Sequence, residues 1–376
     1  MICDESVSKT CQERTEERKQ SLKGVGLDPY TKLSTSVPSQ DEVSTRFAAI
    51  SSRFADGDLL VNRDGYRIVN QKESGALLPI EPFDNQLKLE DIERIRLVGE
   101  GNSSMVHLAQ HKYTGQFLAV KVVKVNLEVS SWKKFAQMLK VIQSSPSPYV
   151  VVFYQLFYNE GAISIILEYM DGGSLANFLK KVKSIPEVYL AAIFKQVLKG
   201  LLFLHHKKHI IHRDLKSTNL LINHSGEVKI SDFDVSATVA YTAGQANTFI
   251  GTYNYMSPER ISGGSYGHKS DIWSLGIVML ECACGQFPYS PVEQEEGWTS
   301  FYEVMEAIVD QPPPCAPQGQ FSSEFCSFIS ACLQKEPSDR QSAKELLEHR
   351  FMNMYDDSDV DLSAYFTNVG SPLTTF

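Results

Sequence analysis

The hydrophobic pattern of this chain changes period once, around "DGGS" at 171–174, and that change constrains the fold more than any other feature. From Ile92 onward, "IRLVGEG", "MVHLAQH" and "FLAVKVV" cluster or alternate β-branched residues between Gly and polar turns. That texture predicts successive antiparallel strands. In "LEVSSWKKFAQMLKVI", Trp132, Phe135, Leu139 and Ile142 fall at helical spacing, and "AISIILEYM" returns to strand. Beyond "DGGS" the apolar residues of "PEVYLAAIFKQVLKGLLFLHH" recur every three or four positions, behind a Pro at a first-turn position. "SAKELLEH" opens with the capping pair Ser342 and Glu345. A small β-rich lobe therefore precedes a larger α-rich lobe, an α+β architecture in two lobes.

The ends of the chain read differently. Residues 1–57 are polar, Ser/Thr-rich and poor in periodic apolar pattern, so they are expected to form a flexible extension. The tail beyond Phe351 starts acidic, "YDDSDVD", and is expected to be a mobile or surface-bound strap. A net charge of −9 argues against nucleic acid or an anionic membrane as the main partner. The apolar run "SLGIVMLECACGQF" is too short to span a bilayer and is interrupted by Glu281. The seven cysteines lack paired metal-ligand spacing, and the C-x-C of Cys282 and Cys284 reads as helix packing. A reducing, intracellular setting follows.

The chemistry concentrates in a few short stretches. "GEGNSSMV" at 99–106 puts Gly99 and Gly101 between two strands, where backbone N–H groups can approach phosphate oxygens closely. A plain glycine turn is the blander reading, because Ser104 stands where a third glycine would complete G-x-G-x-x-G. Lys121 lies inside the apolar strand "AVK", costly unless it meets an anion or sits on an edge strand facing solvent. "HRDLKSTN" at 212–219 is the stronger signal. Asp214 can accept a hydroxyl proton, Lys216 can neutralise a transferring phosphate, and Asn219 offers oxygen to Mg²⁺. Asp232, thirteen residues past Asn219, is a second hard oxygen ligand.

From about residue 92 to 351 the chain resembles the protein kinases. "SPE" at 257–259 stands where that family has A-P-E, Arg340 is placed like its ion-pair partner, and Asp271 in "SDIWSLG" like the brace of the catalytic loop. More narrowly, "LEYMDGGSLANFL", "NTFIGTYNYMSPERISG" and "VDQPPP" are similar to mitogen-activated protein kinase kinases. "FADGDLLVNRDGYRI" and "MYDDSDVDLSAYF" look like the plant branch. The resemblance implies a bilobal kinase fold with an N-lobe over 92–169 and a C-lobe over 170–351. It leaves 1–91 as an extension with a docking segment and 352–376 as a tail. It implies ATP and Mg²⁺ as cofactors. Val98, Gly99, Glu100, Gly101 and Val106 would cover the nucleotide, Lys121 would pair its phosphates, and Glu168 and Met170 would form the hinge with Leu167 behind it. Asp214 and Lys216 would act on the acceptor, and Asn219 and Asp232 would hold the metal. The implied partners are a downstream mitogen-activated protein kinase as substrate and an upstream kinase, in the cytoplasm and nucleus.

Several positions depart from the family pattern. Asp234 occupies the glycine place of D-F-G, where backbone at positive φ costs a non-glycine residue about 1 kcal/mol. Met138 stands where the family has the helix Glu that pairs with the strand lysine, and Glu128 lies almost three turns away. Ser217 replaces the usual Pro of the catalytic loop. Two readings follow: an active dual-specificity kinase, slowed at these positions, or a kinase-like scaffold that binds nucleotide or partner kinases without efficient transfer. Thr242 and Thr248, five residues apart in the stretch before "SPE", resemble the plant family's activation sites. Arg18, Lys19 and Lys23 ahead of Val25 and Leu27 read as a docking motif for the substrate kinase or as a solvated charged tail.

Overall fold

The computed structural model describes residues 53–56, 59–62, 65–68, 87–101, 104–124, Leu139, 141–143, 146–159, 161–232, 253–289, 301–317 and 319–368. All belong to one compact unit, Ile50–Phe376. The docking motif, Glu128, Met138, Asp234, Thr242 and Thr248 lie outside the described residues.

Three short strands, β1 (Arg53–Asp56), β2 (Leu59–Asn62) and β3 (Gly65–Ile68), form an antiparallel meander. Five more make the larger sheet: β4 (Ile92–Glu100), β5 (Ser104–His111), β6 (Phe117–Lys124), β7 (Phe153–Asn159) and β8 (Ala162–Glu168), in the order β4-β5-β6-β8-β7. Its central strand shows why the sequence folds this way. Leu118, Val120 and Val122 alternate onto one face and pack with Ala109, Phe157 and Ile166. Ala119 and Lys121 therefore take the opposite face, and the register sets Lys121 between Val106 on β5 and Ile165 on β8. The edge-strand alternative for Lys121 is thereby removed. Leu139 and Ile142 are helical and buried, as their spacing predicts.

The meander lies in the segment expected to be an extension, so that region is not uniformly without structure. Val61 is buried in the main core with Phe153, and the Tyr66 ring packs on Phe153 at 6.1 Å between centroids. At Gly65 the backbone has φ +134°, and an added Cβ would press on the Gln155 side chain at 3.2 Å.

Past residue 172 the period becomes helical. After the two-residue strand β9 (Gly173–Ser174), Ser174 accepts the Asn177 N–H and caps α1 (Leu175–Val182). Helix α2 (Glu187–Leu202) follows Pro186 and continues as a π turn through Lys207. This 21-residue stretch is apolar and long enough to cross a membrane, but Leu190, Ile193, Phe194, Val197, Leu198 and Leu201 are buried inside the lobe. Strands β10 (Leu220–Ile222) and β11 (Val228–Ile230) form a hairpin beside β9. Next come α3 (Pro258–Ile261), α4 (Lys269–Cys284), α5 (Phe301–Asp310), α6 (Ser323–Cys332), α7 (Ala343–Glu348), α8 (Arg350–Asn353) and α9 (Leu362–Asn368). Nearly every residue of α4 is buried, Cys282 among them as a free thiol, and burial pushes that thiol's pKa up. α7 carries the full capping box of Ser342 and Glu345. The tail is bound: Phe366 is buried, Tyr365 stacks on Tyr189 at 3.7 Å, and Asp356 pairs with Lys195.

Candidate active site

The β10–β11 hairpin and the segment leading into it hold the polar residues singled out by sequence. Beneath them sits Asp271 of α4, almost fully buried. Its carboxylate accepts the His212 N–H at 2.8 Å, the Arg213 N–H at 2.9 Å and His205 Nε2–H at 2.8 Å. Burial works to raise this carboxyl's pKa, but the His205 hydrogen bond and charge outweigh it and hold Asp271 below the usual range. The brace also fixes Arg213 at φ 71°, a left-handed conformation that costs a side-chain-bearing residue energy unless its surroundings enforce it. His212 lies 2.9 Å from the Ser231 carbonyl, which can only accept, so Nε2 carries the proton. Nδ1 is then left to accept from the Asp214 N–H at 3.4 Å.

Asp214, Lys216 and Asn219 form one hydrogen-bonded unit. Lys216 Nζ lies 2.8 Å from Asp214 Oδ2, and Asn219 Nδ2 donates to the same oxygen at 2.9 Å and to the Asp214 carbonyl at 2.7 Å. The Asn219 carbonyl in turn accepts from Ser231 N and Oγ, which brings Asp232 alongside. Asn219 thus spends its amide nitrogen on the catalytic loop and keeps Oδ1, which among the described residues is touched only by Thr218 Oγ1 at 3.4 Å. Asp232 sits at φ 55°, and its Oδ1 accepts from Lys121 Nζ at 2.6 Å. Burial raises the Asp232 pKa, but the Lys121 charge and hydrogen bond, with help from Lys216 and His212, bring it below the ordinary value. The two lobes therefore meet in this ion pair, as they also do in Glu168–Lys229.

On the nucleotide side, Gly99 faces Val106 in register, and Gly101 N donates to the Ser104 carbonyl at 2.8 Å, closing a tight turn. A Cβ on Gly101 would meet Ser104 Oγ at 3.3 Å, so the Ser104 side chain would have to give by a few tenths of an ångström. Glu100 pairs with Met105, and Val98 is exposed. Met170 is buried, its carbonyl accepts from Gly173 N, and its own N–H has no partner among the described residues. A buried amide without a partner is rare. It fits the edge of a purine. Glu168 commits its carboxylate to Lys229 Nζ at 2.6 Å and the Val152 N–H at 3.1 Å, and its own N–H donates to the Val152 carbonyl at 2.9 Å.

Sequence reasoning did not single out Lys229, His205 or the Ser217 contacts. The signal for Lys229 was available, since "VKI" embeds a lysine in an apolar strand as "AVK" does. Ser217 is buried and hydrogen-bonds with the Tyr255 hydroxyl and Glu281 carboxylate, a contact the usual Pro cannot make. The expected Arg340 pair is present: its guanidinium binds both Glu259 oxygens, at 2.8 and 2.7 Å.

A lysine and two hard oxygen ligands beside a carboxylate that can take a proton define a phosphotransferase, and the chain belongs to the protein kinase family, whose domain description matches residues 92–352. Mitogen-activated protein kinase kinase SIPKK of Nicotiana tabacum is 63% identical over 94% of this chain and 99% of the relative. Mitogen-activated protein kinase kinase 2 of Arabidopsis thaliana is 59% identical over 94% of this chain and 97% of the relative. Mitogen-activated protein kinase kinase 1c of Physcomitrium patens is 47% identical over 88% and 96%. Within the kinases, the chain is a member of the plant mitogen-activated protein kinase kinases.

Proposed function

We propose that this kinase transfers the γ-phosphoryl group of Mg-ATP to the Thr and Tyr hydroxyls of a downstream mitogen-activated protein kinase. An upstream kinase of the same cascade switches it on by phosphorylating Thr242 and Thr248. The observation that carries this reading is the unit of Asp214, Lys216 and Asn219, with Asp232 joined to it through Ser231.

When bound, ATP supplies the phosphoryl group and Mg²⁺ screens its charge. The remaining work falls to side chains of this protein. Lys216 and Asn219 both hold Asp214 Oδ2, which fixes the carboxylate and leaves Oδ1 to orient an acceptor hydroxyl and receive its proton. Asn219 Oδ1 and Asp232 are the hard oxygens suited to the cation. The Met170 N–H fixes the base, and the Gly99–Gly101 turn lets backbone donors approach phosphate. Rate enhancement here is positioning and charge neutralisation.

The test is phosphotransfer onto a catalytically dead mitogen-activated protein kinase, wild type against Asp214→Asn. Wild type should label both acceptor residues, and the variant should fall by at least about 10²-fold. A wild type no faster than Asp214→Asn rejects this reading.

A further inference from the structure

The loop that carries Asp214 is fixed to helix α4 on both sides of that residue. Upstream, Asp271 accepts the His212 and Arg213 N–H groups. Downstream, the Ser217 hydroxyl hydrogen-bonds with the Glu281 carboxylate and the Tyr255 hydroxyl. Asp271 and Glu281 are ten residues apart on one helix, which sets the two points about 15 Å from each other. The second point is itself rigid. Tyr255 Oη donates to Glu281 Oε1 and Oε2 at 3.0 and 2.9 Å, and the Tyr255 carbonyl accepts from Ser274 Oγ of α4 at 2.7 Å.

No cation pairs with Glu281 among the described residues, so this half-buried carboxylate relies on hydroxyl donors. Burial raises its pKa, and the hydrogen bonds from Tyr255 and Ser217 only partly offset this. Ser217 is buried as well, where a hydroxyl keeps a hydrogen bond only if the protein supplies the partner.

Backbone geometry does not demand a serine here. Lys216 is extended, at φ −158° and ψ 163°, the region a residue before proline takes. Ser217 opens a 3₁₀ turn through Asn219, and its N–H donates to no group among the described residues. The proline of the family pattern would therefore fit the chain, and what the serine adds is its hydroxyl. Lys216 and Asn219 flank Ser217 in that turn, and both hold Asp214 Oδ2. We infer that Ser217 is a positioning residue: its hydroxyl anchors the catalytic loop to Glu281 of α4 and so keeps Lys216 and Asn219 where they fix Asp214. The effect on rate rests on the phosphotransfer reading above; the anchor rests on the hydroxyl contacts.

The experiment takes full-length wild type, Ser217→Ala, Glu281→Gln, their double variant and Ser217→Pro. Three quantities are read: kcat for phosphotransfer, backbone hydrogen exchange over 212–219, and the Kd of ADP without Mg²⁺, so that Asn219 plays no part in binding. Ser217→Ala should lower kcat by at least about fivefold and leave the ADP Kd within about twofold. Exchange should quicken at 216–219, while 212 and 213 stay protected by Asp271. Glu281→Gln should lower kcat when Ser217 is present and do less once the hydroxyl is gone, so the two changes are non-additive. Ser217→Pro lacks the hydroxyl but restricts φ, so its kcat should lie between wild type and Ser217→Ala. It also carries the test if the alanine variant does not fold. Unchanged kcat and exchange in Ser217→Ala overturn the anchor. Strict additivity with Glu281→Gln does the same, because serine and carboxylate would then act separately. An ADP Kd that rises in step with the loss of kcat gives Ser217 a general structural role and overturns the positioning role. A wild type no faster than Asp214→Asn overturns the phosphotransfer reading, and hydrogen exchange then decides the anchor alone. Quickened exchange at 216–219 in Ser217→Ala upholds it, and exchange equal to wild type rejects it.

Discussion

Arg340 is among the largest side chains the protein buries completely, and all five of its N–H donors are used. Nε binds the Gln334 carbonyl, Nη1 binds Glu259 and the Lys269 carbonyl, and Nη2 binds Glu259 and the Lys335 carbonyl. The guanidinium also lies over Trp273 at 5.2 Å. Removing the carboxylate leaves a buried cation unpaired, so Glu259→Gln should cost about 3–5 kcal/mol. Burial raises the Glu259 pKa, but Arg340 outweighs it and holds the group below the ordinary 4.5. A depressed carboxyl contributes stability that is full above its unfolded pKa and is lost as pH falls through its folded pKa. Urea unfolding should therefore show a wild-type advantage over Glu259→Gln that is constant above about pH 5 and shrinks below 4.5. An advantage independent of pH would reject the charge-based account. This pair was legible, although its partners are 81 residues apart, because "SPE" and "PSDR" resemble family motifs whose pairing the resemblance supplies. The Glu168–Lys229 pair, 61 residues apart, belongs to no motif that was recognised, and only the fold brings it together.

At the scale of elements, the strands of the larger sheet and the capped helix α7 were readable because period and capping are local rules. The meander of β1–β3 was not recognised, although Asp-Gly occurs at 56–57 and at 64–65, a hairpin signal between short apolar runs. Four-residue strands in polar surroundings carry too little periodicity to stand out, and what stabilises them is remote: Val61 and Tyr66 pack on Phe153 across about ninety residues of sequence. A buried valine whose neighbours are mostly distant should be felt by both partners. Val61→Ala should destabilise the protein by about 2 kcal/mol, and hydrogen exchange should quicken in 53–68 and in β7 together. Faster exchange in 53–68 alone would mean the meander covers β7 without supporting it.

At the scale of the whole molecule, the two lobes meet at Lys121 and Asp232, 2.6 Å apart. The fold makes this pair by placing Lys121 at the centre of a sheet face and Asp232 just past β11. Under the proposed function Lys121 meets phosphate and Asp232 meets the metal, so binding Mg-ATP would exchange their mutual contact for two new ones. In the family pattern a helix Glu holds the lysine throughout, and this chain has Met138 there. Without that carboxylate the ammonium is positioned by the nucleotide alone, and mispositioning of this order costs up to about 10²-fold in rate without preventing binding. Asp234 adds a second cost, a side chain and a negative charge where the pattern has glycine beside the metal ligand. The wild type should accordingly bind Mg-ATP and transfer phosphate slowly. Met138→Glu combined with Asp234→Gly should raise kcat by at least about tenfold, about 1.4 kcal/mol of barrier. The two changes should be non-additive, because both act on the same phosphate site. Steady-state kinetics of the four-member cycle measures this directly. A wild type already as fast as the double variant would mean that the Lys121–Asp232 contact holds the lysine well enough by itself, and that the lobes of this kinase are aligned through its metal ligand and need no helix carboxylate.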